Sequence, residues 1–175
     1  PSKYSKEEVI NQALKFHSEG NISKAVKYYQ YFINQGFKDP IAFCNLGVIL
    51  NDLGKLQDAE LSYRKAIEIK PDYAEAFWNL SLLELLQGDY KNGLENYEFR
   101  FKKKKPTIPH GITKLKRIEH KKSQTGEKLL VVTEQGLGDT LQYMRYIPYL
   151  RNQGLKISFC AQTKLHSLIQ ASGID

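Results

Sequence analysis

PIAFCNLGVILNDLGKLQDAELSYRKAIEIKPDY, residues 40–73, is the stretch whose reading decides the fold. Moving it by its own length of 34 residues in either direction superimposes Asn45 on Asn11 and Asn79, Gly54 on Gly20 and Gly88, and Tyr63 on Tyr29 and Tyr97. Weaker matches fill the gaps: Leu14/Val48/Leu82, Ala13/Gly47/Ser81, Ala25/Ala59/Gly93 and Ile33/Ile67/Phe101. A fixed period with small residues at two fixed places implies stacked helical hairpins rather than one closed core. Three repeats follow, at 6–39, 40–73 and 74–107. In each, a first helix runs to a glycine, the residue that most easily takes the left-handed conformation at a helix end. A second helix then carries the repeated tyrosine. Pro71 stops the second helix of the middle repeat.

Composition limits the function classes. Hydrophobic residues are 41% of the 175-residue chain, enough for ordinary cores. The longest clean apolar run, Leu129 to Val132, is far short of the ~20 residues that cross a bilayer. No apolar leader follows Pro1, so the expected location is cytoplasmic. Cys44 and Cys160 fall in different units and read as reduced thiols, with no metal site. Net charge is +7, but it is uneven. Residues 1–99 carry −3, residues 100–128 carry +9 and residues 129–175 carry +1.

The middle repeat resembles the tetratricopeptide repeat family. Phe43, Leu46, Gly47, Leu50, Ala59, Tyr63, Ala66 and Pro71 stand where that family's consensus expects aromatic, apolar, small or proline residues. The third repeat departs from the pattern at Glu84, Gly93 and Arg100. The resemblance implies a concave face lined by the first helix of each pair, with a peptide or protein ligand lying in it. Asn11, Asn45 and Asn79 fall on that face. Helices packed ~8–10 Å apart would space three amides by roughly three residues of extended peptide. An amide donates and accepts, so it can hold a peptide backbone without reading its sequence. This ladder looks like the asparagine ladder of O-linked N-acetylglucosamine transferases. The alternative is that each asparagine bonds locally between helices. Trp78, the only tryptophan, precedes Asn79 and is either a ligand anchor or buried against the next element. His17 lies further along the same face.

Lys102-Lys103-Lys104-Lys105 follows the third repeat, and Pro106, Pro109 and Gly111 then break regular structure. Residues 106–127 read as a basic linker after an array spanning 1–105. Such a run suits acidic surfaces or lipids. It lacks the interleaved aromatics of a base-stacking surface, so nucleic acid is disfavoured.

From residue 128 the period changes. Lys128 to Thr133 reads as a buried parallel strand, Thr140 to Asn152 as a helix kinked at Pro148, and Lys156 to Ala161 as a second strand. Thr163 would cap a last helix through Ile169. The order β-α-β-α is the opening of a doubly wound, Rossmann-like sheet. Two strands leave open edges, which offer a route to a homodimer. The expected fold is therefore mainly α: a three-repeat solenoid followed by a small partial α/β segment over 128–175.

Within that segment EQGLGDTLQYMRYIPYL, residues 134–150, looks like the first strand–turn–helix of heptosyltransferase-like glycosyltransferases, which have the GT-B fold. The resemblance implies an anion- or sugar-binding turn at Gln135, Gly136 and Gly138, and a general base at Asp139. The alternative for Asp139 is a helix cap. The third small residue of a nicotinamide site is replaced by Leu141, and no P-loop is present, so no cofactor is expected. The two functions weighed are a peptide-binding module, not catalytic in this form, and a glycosyltransferase with Asp139 as base. A nucleotide sugar belongs only to a longer parent.

Overall fold

The computed structural model of the chain describes residues 4–111, 113–118, 124–134 and 136–174. Two compact units form, Pro1–Pro106 and Thr107–Asp175.

Among its described residues the first unit holds six α-helices: α1 (Lys6–Ser18), α2 (Ile22–Asn34), α3 (Pro40–Asp52), α4 (Leu56–Ile69), α5 (Ala74–Leu86) and α6 (Tyr90–Tyr97). They pack in consecutive pairs, and α2 meets α3 as α4 meets α5. The starts are fixed by side chains. Ser5 and Glu8 form a reciprocal cap on α1, and Asp39 accepts from the Ile41 and Ala42 N–H groups ahead of α3. The first helix of each pair closes in the same way. The N–H of Asn21 reaches Phe16 O, that of Lys55 reaches Leu50 O, and that of Asp89 reaches Glu84 O. The glycine inside each closure, Gly20, Gly54 or Gly88, has φ of 71°, 72° or 85°. This is the Schellman arrangement, and a Cβ at those angles would be strained.

The small residues of the period lie between paired helices. Ala13, Ala25 and Ala59 are fully buried. At Gly47 a Cβ would stand 2.6 Å from the Tyr63 ring, so glycine lets α3 and α4 approach around that tyrosine. At Gly93 it would stand 2.8 Å from Leu85 Cγ.

The third pair differs from the first two. Helix α6 has 8 residues, against 13 and 14 for α2 and α4. It passes into one 3-10 turn over Glu98–Phe101. Arg100, at a small-residue position of the repeat, is buried there. Its guanidinium donates to Tyr97 O at 2.9 Å and Glu98 Oε1 at 2.8 Å and lies over the Tyr97 and Phe101 rings. Glu84, the other departure, is also buried. Asn96 Nδ2 donates to it at 2.8 Å and Arg64 Nη2 at 3.3 Å, so a polar clip joins α4, α5 and α6 where the repeat pattern expects an apolar contact.

The second unit contains β1 (Lys128–Val132), α7 (Leu137–Tyr143), α8 (Tyr146–Asn152), β2 (Lys156–Cys160) and α9 (His166–Ala171). β1 and β2 pair in parallel, with Lys128 opposite Lys156 and Val132 opposite Cys160. The intervening chain crosses over through α7 and α8, as a parallel connection requires. Ile147, Leu155, Leu165 and Ile169 are its buried apolar residues. His110 and Gly111, within the stretch read as linker, lie against this sheet: the His110 N–H donates to Thr133 O at 2.7 Å.

Three expectations need correction. β1 is not a buried strand: its residues are exposed or half-buried, since a two-stranded sheet is not covered on both faces. The helix over 140–152 is two helices, broken at Met144–Arg145 rather than kinked at Pro148. Proline clashes with the carbonyl four residues earlier, here that of Met144, so the break appears upstream. Ile147 N–H bonds Met144 O across the break. Thr163 does not cap the last helix. It opens a 3-10 turn, Thr163–Leu165, and α9 begins at His166.

Candidate peptide-binding face

Helices α1, α3 and α5 are the first helices of their pairs, and each carries one of the repeated asparagines. Asn11 is exposed; Asn45 and Asn79 are half-buried. The last two are held by the preceding repeat. Asn45 Nδ2 donates to Tyr29 Oη at 3.2 Å, linking α3 to α2. Asn79 Nδ2 meets Cys44 Sγ at 3.4 Å, linking α5 to α3. Asn11 forms no such link among the described residues. Each link uses one N–H. An amide offers two N–H groups and a carbonyl with two lone pairs, so most of its bonding capacity remains for another group.

An aliphatic row runs beside the amides. Leu14, Val48 and Leu82 follow the three asparagines by three residues, one turn along the same helical face. Leu82 is exposed, and Leu14 and Val48 are half-buried. Amides flanked by aliphatics can grip a peptide backbone while covering its apolar side chains.

The groups beneath this row are held neutral. Burial pushes the Cys44 thiol up to about 11, against a partial counter-effect from Asn79. Burial likewise pushes the Tyr29, Tyr63 and Tyr73 hydroxyls upward. His17 faces Tyr29 edge-on, with Nδ1 3.5 Å from the tyrosine oxygen, so it joins the α1–α2 packing. No three His, Cys, Asp or Glu side chains among the described residues gather as a metal site would need.

Trp78 is half-buried, and the lysine run is what covers it. Lys103 Nζ sits 3.4 Å from the Trp78 ring centroid, and the Lys104 N–H donates to Glu75 Oε1 at 3.0 Å. Lys102 Nζ lies over Phe99, which stacks on Phe77 at 3.9 Å. Sequence reasoning missed this strap because a charge run reads as solvated chain. The spacing of Glu75, Trp78 and Asn79 on one helical face was its only signal.

In the second unit Gly136 and Gly138 lie at the start of α7, and both are exposed; Gln135 falls outside the described residues. Asp139 is exposed, and its Oδ2 accepts from the Gly136 N–H at 3.2 Å. This is the bond of a helix cap, made to one of the otherwise unpaired donors of α7. Thr140 beside it is buried and donates to Gln162 Oε1 at 2.8 Å. Among the described residues, no helix is long and apolar enough to cross a membrane.

Residues 40–73 match the family model of the Tetratricopeptide repeat. No curated protein matches the chain. Among solved structures, the Arabidopsis OM64 TPR domain is 19% identical over 53% of this chain and 77% of that one, with a TM-score of 0.50. The TPR2B domain of yeast Sti1, solved in a complex with pHsp70, is 22% identical over 54% and 75%, with a TM-score of 0.49. The Sgt2 TPR domain from Aspergillus fumigatus is 22% identical over 57% and 65%, with a TM-score of 0.49. At these identities the likeness is one of fold.

Proposed function

We propose that the helical array is a protein-interaction module that holds an extended peptide along α1, α3 and α5. The carrying observation is the placement of Asn45 and Asn79, each fixed to the preceding repeat by one N–H and each keeping a carbonyl and a second N–H. Anchored amides have already lost much of their rotamer freedom, so a ligand that bonds them bears less of that cost. The aliphatic row beside them supplies area to cover.

The test is selection from a random-peptide display library, followed by titration of the selected peptides. Replacing Asn11, Asn45 and Asn79 together by Ala removes up to three bonds of about 1 kcal/mol each, so capture should weaken about tenfold or more. A triple variant that keeps its helicity and binds the same peptides equally well refutes the reading.

A second reading is that the chain is the N-terminal part of a glycosyltransferase. It is favoured by a parallel β–α–β crossover in which Gly136 caps α7 and Gly138 lies in its first turn. Asp139 would then exchange its cap bond for a proton from an acceptor hydroxyl. Titration with nucleotide sugars tests it. No heat of binding with this chain or with a longer natural reading frame would remove it.

A further inference from the structure

The Lys102–Lys105 run is fixed to the first unit at three points. Lys103 lies on Trp78, the Lys104 backbone bonds Glu75, and Lys102 covers Phe99. Glu75, Trp78 and Asn79 stand at i, i+3 and i+4, so they share one face of α5. The strap therefore borders the face that carries the third asparagine. Its fixing uses two ammonium groups, each on an aromatic ring, and one backbone N–H. The side chains of Lys102, Lys104 and Lys105 are exposed and enter no ion pair among the described residues. Residues 1–99 are net acidic at −3, while Lys102–Lys105 place four cationic side chains in succession at the end of the first unit.

We propose that this end of the face takes the acidic stretch of a peptide ligand, its carboxylates meeting Lys103, Lys104 and Lys105 while its backbone continues over Asn79. The proposal rests on the peptide-binding reading above and adds the charge of the ligand and its direction. Glu75 already occupies one strap N–H, so the strap accepts a carboxylate at close range in the free protein. A peptide carboxylate adds ion pairs without undoing that bond. Exposed pairs contribute little singly, and three acting together are worth on the order of tenfold in affinity.

Trp78 reports on the strap directly, because no other tryptophan exists. Peptides from the display selection would be resynthesised with Glu-Glu-Glu or Gln-Gln-Gln added at either end. Binding would be read from Trp78 fluorescence. The glutamate extension at one end should bind about tenfold more tightly than its glutamine counterpart. That advantage should shrink as salt screens the pairs. It should vanish in the Lys103→Gln/Lys104→Gln/Lys105→Gln variant, with capture of the unextended peptide unchanged. No advantage at either end, or the same advantage in the lysine variant, overturns the proposal and leaves the groove reading standing. Failure to bind even the unextended peptides removes the groove reading instead, and the proposal with it. Tighter binding of oligo-dT or of phosphatidylserine vesicles than of the glutamate-extended peptide, with the same fluorescence response, also overturns it, by assigning the strap to another class of partner.

Discussion

Gly47→Ala sets two helical effects against each other. Alanine in a helix is about 1 kcal/mol more favourable than glycine. Here the added methyl would lie 2.6 and 2.7 Å from Tyr63 Cε1 and Cδ1, where carbon atoms prefer about 3.5–4.0 Å. The ring cannot give way into solvent, since Tyr63 is only 2% exposed. Overpacking of this kind costs about 1–3 kcal/mol. The net expectation is a loss of about 0–2 kcal/mol, opposite in sign to what propensity alone gives. A second background separates the terms. Tyr63→Val removes Cδ1, Cε1 and Cζ, all three atoms that the methyl would meet. In that background Gly47→Ala should stabilise by about 1 kcal/mol, a coupling of about 1–3 kcal/mol between the two sites. Denaturant unfolding followed by far-ultraviolet circular dichroism measures all four proteins, the helical signal coming mainly from the first unit. Equal effects in both backgrounds, or a gain in the native one, would refute close approach around Tyr63 as the reason for glycine.

The polar clip on Glu84 makes unequal predictions for its two partners. Asn96→Ala leaves a buried carboxylate oxygen without its donor and should cost about 1–3 kcal/mol. Arg64→Ala removes a half-exposed guanidinium and should cost about 0–1 kcal/mol; denaturation midpoints give both values. Cys44 is 3% exposed and kept as a thiol, so iodoacetamide should label Cys160 long before it, with mass spectrometry of the native protein giving the order. Alkali should destabilise the array. The folded thiol of Cys44 holds its proton to about 11 against 9.0 for an unburied thiol, so between those values the unfolded chain releases a proton that the folded one keeps. Stability is complete below the lower value and falls as pH rises towards the upper, and the raised tyrosines act in the same direction. Melting temperature should therefore drop through that window, and a flat profile would contradict the burial argument.

The hairpins were legible because their causes are local and repeated. In each pair a glycine at a left-handed angle closes the first helix, and one alanine, glycine or serine per helix sits at the packing seam. Features whose partners lie on different helices were not legible. Arg64, Glu84 and Asn96 belong to α4, α5 and α6, and the sequence marked Glu84 only as a departure. The strap was hidden because its contacts run from lysines to an aromatic ring and one carboxylate far back in the chain. The break before Pro148 was present in the sequence, since the clash of a proline falls four residues upstream, but it was assigned to the proline itself. A cap at Asp139 was one of the two readings of its sequence, whereas its partner, the Gly136 N–H, follows from where α7 begins.

The asparagine period itself carries two pressures that can be separated. Asn45 ties α3 to a fully buried tyrosine, and without it the Tyr29 hydroxyl keeps only the long contact to His17. Asn45→Ala should therefore cost about 1–2 kcal/mol of stability as well as weakening peptide capture. Asn79→Ala loses a bond to sulfur, a poorer acceptor, and should cost less. Asn11 forms no inter-repeat bond among the described residues, and its replacement should leave the denaturation midpoint unchanged. Bracing as seen at Asn45 and Asn79 does not act at Asn11, which makes no inter-repeat bond among the described residues. Asn11 is thus the discriminating position. If Asn11→Ala weakens peptide capture at constant stability, the amides form a recognition row that also braces the stack. If it changes neither capture nor stability while Asn45→Ala changes only stability, the row is bracing alone.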